Sequence, residues 1–241
     1  MNKKKIANLA PYGYITPITV ILVGFVIVSV IISIVLSFTR YNIMTPPTFY
    51  GLKNYERLVT DTKFMKALFN TLKLMVMIVP LQMILSLIVS VFLVSHRHML
   101  IGKIANSVIF IPVLCSNAAT GVIWRELLNG KIPAVETFFG LFGIKASMLL
   151  GNAKTALAVV AAVAIWKMLG YYVVIYSSGL LGISESFYEA AKVDGASTWK
   201  TYWSIVFPIM KPMHATVAVL TALGTWNDVM TPLVMMSGTG K

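Results

Sequence analysis

The sequence predicts an all-α, multi-pass transmembrane helical bundle, and three observations carry that prediction. Of 241 residues, 58% are hydrophobic and only 12% are charged, which is not the balance of a soluble domain. A mean hydropathy of +0.82 exceeds what a core of this size can hide, so lipid must cover much of the apolar surface. Five apolar runs, Ile15 to Phe38, Leu74 to Val94, Ile104 to Trp124, Thr155 to Ile175 and Met213 to Met236, hold 24, 21, 21, 21 and 24 residues. At about 1.5 Å per helical residue, each can cross a hydrocarbon core roughly 30 Å thick.

The first run follows Lys3, Lys4 and Lys5 as a signal peptide would. It is too long for a signal h-region and lacks a small-residue cleavage site, so residues 15–38 are expected to be a retained span after a cytoplasmic stretch, 1–14. Residues 39–73 are polar and expected to be extracytoplasmic. There Pro46-Pro47 and Gly51 mark turns, and Asn54 to Asn70 is expected on the membrane surface. Spans two to five fill 74–241. Prolines 17, 80, 112 and 232 fall in or near the runs; membrane helices tolerate them where neighbours satisfy the freed carbonyl, so packed, kinked helices are expected. Between the third and fourth runs, Arg125 to Lys154 is interrupted by Gly130, Pro133, Gly140 and Gly143.

Twenty Lys and Arg against eight Asp and Glu give a net charge of +12. Because these charges are scattered between apolar runs, the expected counter-charge is membrane lipid and not nucleic acid. With the N-terminus inside, Lys and Arg number eight inside and eleven outside, a count that alone favours the reverse topology. The Lys3 to Lys5 cluster beside the first span supports N-inside. Cys115 is the single cysteine and reads as a small buried residue. His96 and His98 flank Arg97 without a third ligand, and His214 reads as interfacial, so no metal site, cofactor or catalytic constellation is expected.

The interval 182–208 between the fourth and fifth runs reads as two short helices joined by a turn. Ser186 and Glu189 fit an S-x-x-E capping box, which starts a helix near Phe187. Gly195 is placed to end it in the left-handed conformation, Ser197 to cap a second helix and Pro208 to close that one. Within this interval Glu189-Ala190-Ala191, Asp194-Gly195-Ala196, Ile205 and Pro208, followed by Pro212, closely resemble the EAA loop of the inner-membrane permease subunits of binding-protein-dependent ABC importers. Gly51-Leu52-Lys53-Asn54-Tyr55, Asp61, Phe64 and Asn70-Thr71-Leu72 look like the carbohydrate branch of that family. Trp166, Gly170, Gly179-Leu180 and Ile183 are similar to its approach to the loop. Ser184 departs from the proline of many relatives, and a serine cap can replace it.

The resemblance implies that 182–208 is a cytoplasmic coupling loop docking on ATP-binding ABC subunits. It also implies a second, similar permease subunit, expected to form a heterodimer, and an extracytoplasmic solute-binding protein. Four spans before the loop place the N-terminus in the cytoplasm. Relatives have at least six spans, so the chain is expected to lack its last one. The function implied is import of a sugar or oligosaccharide across the cell membrane. The alternatives are a permease for another small solute, such as glycerol phosphate or a polyamine, and an ATP-independent secondary carrier. No G-x-x-x-x-G-K-[ST] motif occurs, so ATP hydrolysis is assigned to a partner and the chain is not expected to be an enzyme.

Lys167 and Asp228 fall inside apolar runs, where a charge is expensive and faces a partner or a water-filled path; the alternative is a snorkelling lysine and an interfacial aspartate. Trp166, Tyr171, Tyr172, Trp226 and Asn227 adjoin them. Flat aromatic faces beside polar groups suit a sugar, so these seven residues form the expected solute path.

Overall fold

A computed structural model describes residues 3–236 and divides the chain into two compact units, residues 1–68 and 69–241. Residues 237–241, at the end where a last span is expected to be missing, lie outside the described residues.

In the first unit, α1 (Lys3–Leu22) and α2 (Val28–Ser37) are continuous through a π-helical turn, Val23–Ile27. Tyr12–Ser37 is apolar enough to cross a membrane and leaves Ile18, Phe25, Ile31 and Val35 exposed, as a helix solvated by lipid does. A two-stranded antiparallel hairpin follows, β1 (Thr39–Asn42) and β2 (Thr45–Phe49), with Thr39 opposite Phe49 and a register shift between Arg40 and Asn42. Pro46-Pro47 therefore lie in a strand and not in a turn. Proline is tolerated there because a two-stranded ribbon leaves one side of each strand free of ladder bonds. Gly51, with φ +63°, turns the chain into α3 (Lys53–Thr60). Asn54 Nδ2 donates to the carbonyls of Ser37 (2.8 Å) and Thr39 (2.9 Å), and the Tyr55 and Ser37 hydroxyls meet at 2.6 Å. The Asn54-Tyr55 pair thus ties α3 to the end of the first span.

Asp61 caps the next helix, its Oδ1 accepting from the amides of Lys63 (2.8 Å) and Phe64 (3.2 Å). That helix, α4 (Thr62–Ser95), has 34 residues and is about 50 Å long at 1.5 Å per residue. Residues 62–70 are consequently its first turns and not a separate surface segment, because the cap starts the helix well before the apolar run begins.

In the second unit, α5 (Leu100–Leu114) and α6 (Asn117–Leu127) meet at 98°. The third run is therefore broken and not one straight span. Cys115 and Ser116 adopt extended backbone there, and Ser116 Oγ accepts from the Ala119 amide at 3.1 Å. Next come α7 (Pro133–Gly140), α8 (Ala146–Gly151) and the long α9 (Ala153–Leu181). The interval after α9 holds α10 (Glu185–Val193), α11 (Thr198–Thr201), a π-helical turn Tyr202–Val206 and α12 (Phe207–Ile209). Helix α13 (Lys211–Asn227) leaves it at a 65° bend. The fifth run is also interrupted, at Asp228-Val229, before α14 (Met230–Met236). Three described helices can cross a membrane, or up to five segments if each bent pair is one span.

Close crossings hold the second unit together. A Cβ on Gly170 of α9 would lie 2.3 Å from the Ile109 carbonyl oxygen and 2.9 Å from Phe110 Cα. A Cβ on Gly121 of α6 would come within 3.0 Å of Val234 of α14. Such approach of backbones is how membrane helices gain packing where lipid supplies no hydrophobic drive. Two buried clusters result, one around Leu74, Ile78, Leu150 and Val160, the other around Tyr172, Tyr176, Met210 and Val217.

Candidate functional site

Helix α4 buries Leu74, Ile78, Gln82, Ser86, Ser90 and Leu93, a stripe at four-residue spacing with a last step of three, which puts all six on one face. Half of that stripe is polar. Through Gln82 it reaches a cavity of about 450 Å³ whose lining also includes Asn117 from α6, Lys167, Tyr171 and Tyr172 from α9, and Thr221 and Asp228 from α13 and its end. Leu74 and Ile78 also line it, so the cavity draws its walls from both buried clusters.

Lys167 is 7% exposed, and no ion pair of Lys167 occurs among the described residues. Asp228 lines the same cavity, but its carboxylate is engaged elsewhere. Oδ1 accepts from the Thr231 amide (3.1 Å), capping α14, and from Asn117 Nδ2 (3.4 Å) at the start of α6. The breaks in the two broken runs are therefore joined by one side chain. Capping explains why the chain interrupts at Asp228: an aspartate that accepts from the amide three residues on competes with continuation of α13.

Of the seven expected path residues, the cavity brings together Lys167, Tyr171, Tyr172 and Asp228. Trp226 lines an adjoining groove of about 1260 Å³ with Asp228, Asn70 and Lys73. Trp166 packs edge-on against Trp124 with ring centroids 5.5 Å apart, and Asn227 Nδ2 donates to the Leu223 carbonyl of its own helix at 2.9 Å. Neither lines the cavity. Sequence reasoning missed Gln82, Asn117 and Thr221. For Gln82 the signal was available, as the one amide in a charge-free run, in helical register with Leu74 and Ile78.

The interval between α9 and α13 is built as two capped helices. Its first cap is Ser184, whose Oγ accepts from the Ser186 amide; the expected Ser186–Glu189 box does not form, because Ser186 lies inside the helix with its hydroxyl 2.8 Å from that of Ser184. Glu189 and Ala190 are exposed and Ala191 is buried on α10. The helix ends in a Schellman motif: the Ala196 amide donates to the Ala191 carbonyl (2.9 Å) and the Gly195 amide to Lys192 (3.1 Å), with Asp194 as C-cap. Gly195 sits at φ +69°, the left-handed region that glycine enters without a Cβ penalty. Ser197 Oγ accepts from the Lys200 amide at 3.3 Å and starts the second helix. Ile205 is half-buried in the π-helical turn. Pro208 lies inside α12 and does not close it; the chain bends at Met210, 1% exposed and anchored in the cluster around Tyr172 and Tyr176. Val193, Trp199 and Trp203 stand exposed on the outer side of this hairpin.

Between α6 and α9, Glu136 of α7 clasps the start of α8. Its carboxylate accepts from the amides of Ser147 (3.0 Å) and Ala146 (3.2 Å). The Ser147 amide above all, with the Ala146 amide, the Ser147 hydroxyl and Lys145, holds this carboxyl below its ordinary value of 4.5 against the opposing pull of desolvation. A carboxyl with a depressed folded value contributes stability above its unfolded value, and that contribution is lost as pH falls through the folded value. Proteolysis within 128–152 in detergent is therefore expected to accelerate as pH falls below 4.5 and through the depressed folded value, and Glu136→Gln should cleave at the acid-accelerated rate already at pH 7. Equal cleavage of variant and wild type at both pH values would remove the clasp.

The fold and the site define a polytopic helical membrane protein with a polar cavity inside its bundle and a capped helical hairpin at the chain's reversal. The family model for the binding-protein-dependent transport system inner membrane component matches residues 62–241, and the chain belongs to that family. It is 28% identical to the arabinooligosaccharides transport system permease protein AraP of Bacillus subtilis, over 89% of this chain and 68% of that protein. It is 31% identical to the multiple sugar-binding transport system permease protein MsmF of Streptococcus mutans, over 76% of this chain and 63% of that protein. Among solved structures, a bacterial alginate ABC transporter in complex with an alginate pentasaccharide-bound periplasmic protein matches with a TM-score of 0.74 at 19% identity, covering 90% of this chain and 73% of that one. At that identity the likeness speaks for the fold.

Proposed function

We propose that the chain is a permease subunit of an ATP-driven importer and passes a sugar or oligosaccharide through the cavity between α4, α9 and α13. The observation that carries this reading is continuity. The two helices that supply Lys167, Tyr171, Tyr172 and Thr221 to the cavity run directly into the capped hairpin, α9 entering it and α13 leaving it. The hairpin, with Glu189, Ala190, Ala191, Asp194, Gly195, Ala196, Ile205 and Pro208, is the coupling surface for ATP-binding subunits that hydrolyse ATP. A second permease subunit completes the pore, and an extracytoplasmic solute-binding protein delivers the solute. The relatives named for arabinooligosaccharides and multiple sugars support the solute class. In this reading the N-terminus and 182–208 are cytoplasmic, 39–73 is extracytoplasmic and 74–241 belongs to the permease core.

Gly195→Val tests the coupling role. Nothing lies within 4 Å of a Cβ built there, so the variant fits sterically and its cost is the left-handed backbone, about 1–2 kcal/mol. The subunit should insert and assemble but lose solute-stimulated ATP hydrolysis in proteoliposomes holding the whole transporter. Undiminished stimulation would defeat the coupling assignment. Failure of the tagged subunit to co-purify with any ATP-binding subunit would favour an ATP-independent carrier.

A further inference from the structure

We propose that Gln82 is a specificity-determining residue whose amide reads two adjacent hydroxyls of a saccharide in the cavity; this rests on the sugar-importer reading above. Gln82 is 0% exposed and is among the residues that line the cavity, so its own chain buries it and its amide meets a saccharide only when the lining side chains part. Both Nε2 and Oε1 are without a hydrogen-bond partner among the described residues, although buried amides are ordinarily satisfied. The nearest polar groups on the same stripe are spent. The Ser86 hydroxyl donates to the Gln82 backbone carbonyl, and the Ser90 hydroxyl to that of Leu87 at 2.8 Å. An unpaired amide in the lining of a cavity is a recognition group awaiting its ligand.

Its chemistry selects the ligand. A primary amide carries an acceptor and two donors on one plane, so it can accept from one hydroxyl while donating to the oxygen of the next. A vicinal diol presents that pair. Carboxylates offer only acceptors and ammonium groups only donors, so neither matches both halves of the amide. The other walls suit a sugar ring, since Ile78, Val113 and Val160 are apolar and Tyr171 offers an aromatic face. A site built around a hydrogen bond to a hydroxyl discriminates far more strongly than an apolar pocket can, because its buried polar group is left unpaired by the wrong ligand.

The test uses the complete transporter in proteoliposomes supplied separately with radiolabelled maltotriose and arabinotriose. For each trisaccharide that the wild type takes up, Gln82→Leu is expected to slow uptake by at least about tenfold, since both hydrogen bonds of the amide are lost. The melting temperature of the assembled Gln82→Leu complex should equal or exceed that of wild type, because an unpaired buried amide gives way to an apolar side chain of similar size. Unchanged uptake by Gln82→Leu would overturn the role of Gln82 while leaving the sugar reading intact. A melting temperature that falls along with uptake would overturn it too, by making the amide a support of the fold. If the wild-type complex hydrolyses ATP but imports neither trisaccharide, the sugar reading fails and this inference fails with it.

Discussion

Gly170→Leu is expected to abolish accumulation of folded subunit in the membrane. A Cβ at this position already falls 2.3 Å from the Ile109 carbonyl oxygen and 2.9 Å from both the Ile109 carbonyl carbon and Phe110 Cα. All three contacts are backbone, so no side-chain rotation relieves them and α5 must move away from α9. The cost lies at or beyond the roughly 3 kcal/mol upper end of ordinary overpacking, and the displaced helices border the cavity through Val113 and Lys167. Gly140→Ala is the matched control, since nothing lies within 4 Å of its Cβ, and it should accumulate normally. The monodisperse fraction after detergent extraction reads the outcome. Normal accumulation of Gly170→Leu would mean that the α5–α9 crossing is not needed for the fold.

Asp228→Ala is expected to stop transport for two separable reasons. The carboxylate caps α14 and holds Asn117, and it is the one acid in a cavity that buries Lys167. Asn is about as good an N-cap as Asp, whereas Ala loses about 1 kcal/mol. Asp228→Asn should therefore keep the melting temperature and Asp228→Ala should lower it, while both lose transport because each removes the negative charge from the cavity that Lys167 also lines. Adding Lys167→Met to Asp228→Asn removes the cavity's cation as well and should leave the melting temperature at the Asp228→Asn value without restoring transport. Wild-type transport by Asp228→Asn would reduce Asp228 to a cap.

The helical bundle was legible because composition and run length answer to lipid alone, and each run needed only to be apolar and long enough. The breaks were less legible. Asp228 looked like a costly charge in a span, yet it caps a new helix, and hydropathy averaged over a window cannot register one side chain that bonds to the backbone three residues on. Cys115-Ser116 hid inside a charge-free run for the same reason. The capping box at Ser186 was a local pattern overruled by its neighbour, since Ser184 offers the same hydroxyl two residues earlier. Gln82 is inconspicuous in the sequence because charge marks the expected solute path, while the polar content of the buried stripe of α4 is an amide and two hydroxyls. Trp166 and Asn227 lie next to Lys167 and Asp228 along the chain, but adjacent helical residues point about 100° apart, and these two turn away from the cavity, Trp166 to Trp124 and Asn227 to its own helix.

The 65° bend at Met210 makes α13 a lever. Its 17 residues form an arm about 25 Å long, with the buried Met210 at the fulcrum and Asp228 at the free tip. A tilt of about 10° about that point sweeps the tip by about 4 Å, more than the length of a hydrogen bond. Since Asp228 also holds Asn117, such a stroke would drag the start of α6 with it or part the two.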